Sequence, residues 1–244
     1  APVSIYRPGF HKAFKLGSLS GAFGASTAQG VGIKYAGDNG FAASTNVVSK
    51  GADSTAGGFL TNTDEHKWDT MLAYTKDQYH VSLTLSQQHD DWSSFSYYAT
   101  DAAAAVTDDA NATAYAARAY WRPEESGTRM PEISVGWDII SFTGQADNNA
   151  KEATSYFVGL GWQDVLNDSD YVGVGFGQPL KVTETANGAV ADDDSLQPFL
   201  WELTYHYKIN DSITMIPTIF GGEDIQSATD QDLIGGAITT KFKF

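Results

Sequence analysis

Hydrophobic and polar residues alternate along most of this chain. Near the C-terminal end Ile234, Gly236, Ile238, Thr240, Phe242 and Phe244 fall on one face, and Gly235, Ala237, Thr239, Lys241 and Lys243 on the other. A period of two predicts a strand, here with two Phe on one side and two Lys opposite. The same rhythm runs through the sets Val31/Ile33/Tyr35, Phe41/Ala43/Thr45/Val47, Trp68/Thr70/Leu72/Tyr74 and Tyr79/Val81/Leu83/Leu85. It continues through Tyr115/Ala117/Ala119/Trp121, Ile133/Val135/Trp137/Ile139 and Tyr156/Val158/Leu160/Trp162. Val172/Val174/Phe176, Phe199/Trp201/Leu203/Tyr205/Tyr207 and Ile213/Met215/Pro217/Ile219 complete it. The count is about eleven strands from Val31 onward, or about twelve if residues 3–7 form one. Pro217 interrupts its strand and predicts a bulge or a strand-end kink.

Turn chemistry separates the runs. Gly37-Asp38-Asn39-Gly40 carries the Asn-Gly signal of a tight hairpin. Lys76-Asp77-Gln78, Asn167-Asp168-Ser169-Asp170 and Ile209-Asn210-Asp211 also read as short turns, and Pro123 to Gly127 as a slightly longer one. Longer polar connections are expected at 49–66, 87–111, 145–152, around Asp192-Asp193-Asp194 and before the last strand. Short and long connections alternate, as in an outer-membrane barrel with tight periplasmic turns and longer external loops. On the apolar faces Trp and Tyr sit near strand ends, at Trp68 and Tyr74, Tyr156 and Trp162, and Trp201 and Tyr207. Two interfacial aromatic belts produce that arrangement. The rival class, a soluble all-β sandwich or barrel, has to hide strands with five large apolar residues on one face.

Composition narrows the choice. Of 244 residues 42% are hydrophobic and 13% aromatic. No run approaches the ~18 apolar residues of a membrane helix, so a membrane-spanning reading requires a closed barrel. Cys is absent, which excludes disulfides and thiol chemistry, and the net charge of −15 argues against nucleic acid as a partner. Ala1-Pro2 reads as a processed N-terminus or an internal cut. The expected fold is all-β, an antiparallel transmembrane barrel of about eleven or twelve strands, complete or part of a larger one. Residues 30–244 form the barrel. Residues 1–29 form an N-terminal segment with a strand at its start, followed by an irregular external loop or a loop folded into a pore.

Several stretches carry a resemblance. Ile5-Tyr6-Arg7, Gly30 to Tyr35, Trp201 to Pro217 and Thr239 to Phe244 together resemble the cyanobacterial outer-membrane porins of the iron-uptake type, related to the carbohydrate-selective porins. The match is best toward the C-terminal end and weaker through the middle, where loops dominate. The resemblance implies an outer-membrane location and passive diffusion of small hydrophilic solutes and inorganic ions, with iron and small sugars as cargo. It also implies lipid contact and a homotrimer. Family members carry a cell-wall anchoring domain and further strands ahead of the Ile-Tyr-Arg element, so the chain corresponds to a C-terminal barrel portion or a compact relative.

The face opposite the apolar one is where function is expected. By alternation it carries Lys34, Asp69, Arg118, Tyr120, Arg122, Asp138, Glu202, His206, Lys208 and Lys241 as pore-lining residues. Cations and anions on one wall create a transverse field, and the bland alternative is an interior plugged by ion pairs. Asp192, Asp193 and Asp194, with the other acidic loop clusters, are expected to form a negative collar at the pore mouth. No acidic run has EF-hand spacing, and neither metal nor cofactor is expected. An outer-membrane hydrolase is the rival function. Its best acid–base candidates are His89-Asp90-Asp91 in a loop and His206 beside Glu202 or Thr204, but no Gly-x-Ser-x-Gly elbow accompanies them.

Overall fold

The computed structural model describes residues 5–11, 14, 29–51, 58–61, 64–89, 110–144, 149–186, 198–224 and 232–243. These residues form one antiparallel sheet in which every strand pairs with its neighbour in sequence. The strands are β1 (Gln29–Ala36), β2 (Phe41–Ser49), β3 (His66–Lys76), β4 (Tyr79–His89), β5 (Asn111–Trp121) and β6 (Glu132–Thr143). They continue with β7 (Ala150–Gln163), β8 (Tyr171–Thr185), β9 (Phe199–Asn210), β10 (Ile213–Glu223) and β11 (Leu233–Phe242). Each expected run from Val31 onward is a strand. Ile5, Tyr6 and Arg7 are not, which corrects the expected N-terminal strand as far as these residues go. β1 and β11 are the sheet's two edges, and no pairing joins them among the described residues.

Directly opposed residues share a face, so the registers fix one facing for the whole sheet. Leu72 opposes Leu83, Leu83 opposes Ala117, Ala117 opposes Trp137 and Trp137 opposes Tyr156. This face remains largely bare: Ile33 is 74% exposed, Leu83 60% and Ile238 71%. On it Trp68, Tyr74, Tyr79, Trp121 and Trp162 sit toward strand ends, but Trp137 and Tyr156 are mid-strand, Tyr156 because β7 begins at Ala150 and not at Tyr156 as the sequence predicts. At the short-turn end the Trp162 indole N–H donates to the Arg129 carbonyl at 3.0 Å. At the long-loop end Trp68 donates to Thr45 Oγ1 at 2.6 Å. The opposite face carries the polar residues and is largely buried on β4–β10.

The expected bulge lies elsewhere. Pro217 stays in phase with its neighbours and opposes Ile238 on β11, while the ladder to β9 skips Ile216 and Pro217 without a shift. The missing proline N–H is accommodated by the skipped pairing. The slip on that side falls between Ile213 and Thr214. A second slip separates Tyr156↔Gln178 from Thr154↔Lys181 and contains Pro179, a residue that tolerates a bulge because it has no N–H to donate. Beyond it the facing changes character. Leu180 and Val182 turn into an apolar cluster with Ala114, Ile140, Phe142 and Ala153. At this end the polar face is therefore locally a dry core.

Loop lengths depart from strict alternation. The connection 122–131 lies on the short-turn side, yet it is longer than 144–149 on the other side. The 164–170 turn is built on the buried carboxylate of Asp170. It accepts from the backbone N–H of Val165, Leu166 and Asn167 and from the Tyr205 hydroxyl at 2.7–3.0 Å. Burial alone raises this carboxyl, but those donors outweigh it and hold it below the ordinary carboxylate range. The sign follows: the carboxylate stabilises the fold fully above its unfolded pKa of ~3.9, and that contribution is lost as pH falls through the lower folded value. Asp170→Ala removes these charge-assisted bonds and is expected to cost about 2–3 kcal/mol at pH 7. Urea unfolding followed by Trp fluorescence checks this. The gap between wild type and variant should narrow as pH falls through the lowered folded pKa, and an undiminished gap there assigns the loss to packing.

Candidate functional site

The polar face of β6–β10 is covered by the N-terminal segment, a strap formed by residues 5–11 and 14. The strap sits on a recess of paired glycines: Gly159 opposes Gly175, and Gly161 opposes Gly173. A Cβ at Gly159 would stand 2.6 Å from Tyr6 Cγ, and one at Gly175 2.8 Å from the Tyr6 hydroxyl oxygen. The Tyr6 ring lies where those side chains would be, a close approach that only glycine permits. Phe14 meets Tyr6 edge-on at 6.1 Å and lies 6.2 Å from Phe157. Phe10 stacks on Phe220 at 3.5 Å.

Glu202 anchors the strap. Its side chain is 1% exposed. One oxygen accepts from the Tyr6 hydroxyl at 2.9 Å and the Gly9 N–H at 3.1 Å. The other accepts from the Phe10 and His11 N–H groups at 3.0 and 2.8 Å. A buried carboxylate is tolerated when its oxygens are filled in this way. Farther along the strap, the Tyr171 hydroxyl accepts the Arg7 N–H at 3.2 Å, and the Arg7 carbonyl lies 2.9 Å from His206 Nε2. The Arg7 guanidinium stands 4.8 Å over the Tyr171 ring and donates to Gln163 Oε1. Thr204 and Thr218 bond to each other beneath Gly9.

The expected wall residues separate into groups. Arg118 and Asp138 form a buried ion pair across β5 and β6, and Arg118 also donates to the carbonyls of Ala117 and Trp137. Tyr120 stacks on His80 at 4.8 Å. Asp69 pairs with Lys67 at 3.2 Å. Glu202 and His206 belong to the strap contacts. Lys208 reaches Asp211 at the β9–β10 turn, 2.8 Å away. Lys34 and Lys241 are exposed on the two edge strands, and Arg122 is exposed just past the end of β5. Asp192, Asp193 and Asp194 lie outside the described residues. On β5–β10 the polar face is thus occupied by the Arg118–Asp138 pair and the strap.

The pairing of His206 with Glu202 foreseen in the sequence does not form. His206 faces the strap carbonyl and Glu202 the strap donors, so they do not bond each other. His89 belongs to β4 and not to a loop, and its ring stacks on His66 at 4.7 Å. Asp90 and Asp91 lie outside the described residues. Tyr6, Gln163 and Tyr171 were missed as site residues. The glycine alternation on β8 was the available signal for Tyr6, since a row of absent side chains needs an occupant.

No family model and no curated protein matches the chain.

Glu202→Ala removes the acceptor for four strap donors. Charge-assisted bonds are worth about 1.5–3 kcal/mol each, so strap opening should become at least about tenfold more frequent. A cysteine placed at Pro8 in this cysteine-free chain reports it by its maleimide labelling rate. Equal rates with and without Glu202→Ala would show that the aromatic contacts alone hold the strap.

Proposed function

We propose that this sheet is the wall of an outer-membrane β-barrel porin, a passive channel for small hydrophilic solutes and inorganic ions. The observation that carries this reading is the continuous bare apolar face, rich in Trp and Tyr and backed by a face of charges, hydroxyls and glycines. Exposed apolar patches beyond a few hundred Å² mark a surface meant to be covered. Here the patch runs across all eleven strands, and lipid is the cover that a sheet of this pattern takes. The resemblance to cyanobacterial porins points the same way and adds the trimer and the iron or sugar cargo.

Closure follows a parity rule. In an antiparallel series of eleven, β1 and β11 run in the same direction. An antiparallel ring therefore takes an odd number of further strands between them, whereas a direct seam would be parallel. Within the ring the strap narrows the lumen along β6–β10 and leaves the space beside β1–β4.

Facing is tested by charge insertion. Leu203→Arg and Val158→Arg on the apolar face should cost ~2–4 kcal/mol at mid-depth and block insertion. Ser44→Arg on the polar face should be accepted. Thr204, which alternation alone offers as a tolerant polar-face position, is buried against Gly9 and will not accept Arg. Insertion is read by the mobility difference between unboiled and boiled protein on a gel, and equal behaviour of all three variants would sink the facing assignment.

Conduction is tested in planar bilayers. The refolded protein should form channels, and Glu202→Ala, by freeing the strap, should raise single-channel conductance. A protein that is monodisperse without detergent and inactive in bilayers would overturn the porin reading.

A further inference from the structure

On the bare face β5 is a low strand. Its outward residues are Tyr115, Ala117, Ala119 and Trp121. The registers set the two alanines between larger neighbours. Ala119 lies between Val81 on β4 and Val135 on β6, and Ala117 between Leu83 and Trp137. Those four neighbours are exposed, whereas the alanines between them are half-buried. Two methyl groups in succession between longer side chains make a trough along β5. It is bounded by Trp121 at the short-turn end and by Tyr115 toward the middle of the sheet, ~20 Å apart at ~3.3 Å per residue. Around Ala119 it deepens into a hollow of about 460 Å³, whose lining includes Tyr74, Tyr79, Trp121 and Ile133.

The β3–β4 hairpin sets a cation beside this hollow. Lys76 opposes Tyr79, and Tyr79 opposes Trp121, so Lys76 shares the bare face with both rings. Lys76 is exposed and forms no ion pair among the described residues. The carboxylate next in the chain, Asp77, lines a different cavity with the polar-face residues Glu132 and Gln163. A lysine at the end of a lipid-facing strand lays its stem along apolar surface and keeps its ammonium at headgroup level. The trough takes an unbranched hydrocarbon chain, and the ammonium takes an anion attached to it.

We propose that one anionic phospholipid is held here, with an acyl chain in the Ala119 hollow and its phosphate at Lys76. The proposal rests on the porin reading for the lipid that covers the bare face. Retention of the lipid is measurable whether or not the protein conducts.

The test supplies the folded protein in detergent with dimyristoyl phosphatidylglycerol or the matching phosphatidylcholine. Retained lipid is counted by native mass spectrometry. The wild type should hold one phosphatidylglycerol about fivefold more tightly than phosphatidylcholine, the ratio given by ~1 kcal/mol for one lysine near an anionic lipid. Lys76→Gln should level the two lipids. Ala119→Leu fills the hollow on a face that accepts apolar residues, and should release both. Val174→Leu, on the same face of β8, should change neither. A wild type that holds no lipid, or holds both equally, overturns the proposal without recourse to any variant. So does retention that survives Ala119→Leu, or a preference that survives Lys76→Gln. If Ala119→Leu instead dissociates an oligomer, a second copy of the chain fills the trough and the lipid proposal falls. Bilayer recordings separate this from the channel reading. Retention without conductance leaves the lipid site standing and sinks the channel. Conductance without retention sinks the site alone.

Discussion

The constraint on which this structure depends is register. Among the described residues every strand pairs only with its sequence neighbours, and opposed residues share a face, so the facing of one strand dictates the next. The apolar series Phe41, Tyr74, Val81, Ala119, Val135, Val158, Phe176, Trp201, Gly221 and Ile234 is linked pair by pair across ten strands. A slip of one residue anywhere along it would turn the following strands inside out. Tight turns hold it: at Gly40 the backbone has φ of +88°, and any side chain there would run into the Thr75 carbonyl. The one internal slip with consequences, near Pro179, comes where the bare face is already giving way to the polar residues Lys181 and Thr183.

The strap and its bed depend on each other. Glu202 without the strap would be a buried carboxylate with little to satisfy it, and leaving such a charge unpaired is among the costlier things a fold does. The strap without Glu202 would bring three backbone N–H groups and a phenol into the interior with no acceptor. The glycines of β7 and β8 make their meeting sterically feasible. A Cβ at Gly173 would stand 3.0 Å from both the Tyr6 ring and Thr204 Cγ2, so even alanine there would press on the ring and the wall together. Anchor, ring and glycine bed thus act as one unit across nearly 200 residues of sequence separation.

Period and turn residues made the strands legible, because a strand with one bare face writes its facing into every second residue. They also placed Arg118 and Asp138 on one face. They did not show that the two meet, because pairing across β5 and β6 depends on a register that the connection 122–131 determines. Glu202 was legible as an inward residue but not as an anchor, since its partners are mostly backbone N–H groups, which every residue but proline supplies. Pro217 misled because proline in a paired strand signals a bulge, whereas here the ladder skips two residues and keeps phase. His89 misled because its polar neighbours mask a strand that continues to the rim, where His66 lies opposite it.

The two halves of the polar face divide the work. On β6–β10 the strap, the glycine bed and the Thr204–Thr218 bond leave little room for water. On β1–β3 Lys34, Asn46 and Asp69 remain open or half-open. On the porin reading a solute passes along that second wall, between the Lys34 ammonium on one strand and the Lys67–Asp69 pair two strands away. Wall charges of both signs there give a transverse field and little net preference, so selection by sign falls to the ends of the path. At the short-turn end Arg7 donates to Gln163 and Gln163 to Glu132, so a chain of hydrogen bonds ties the strap to the start of β6 and the end of β7.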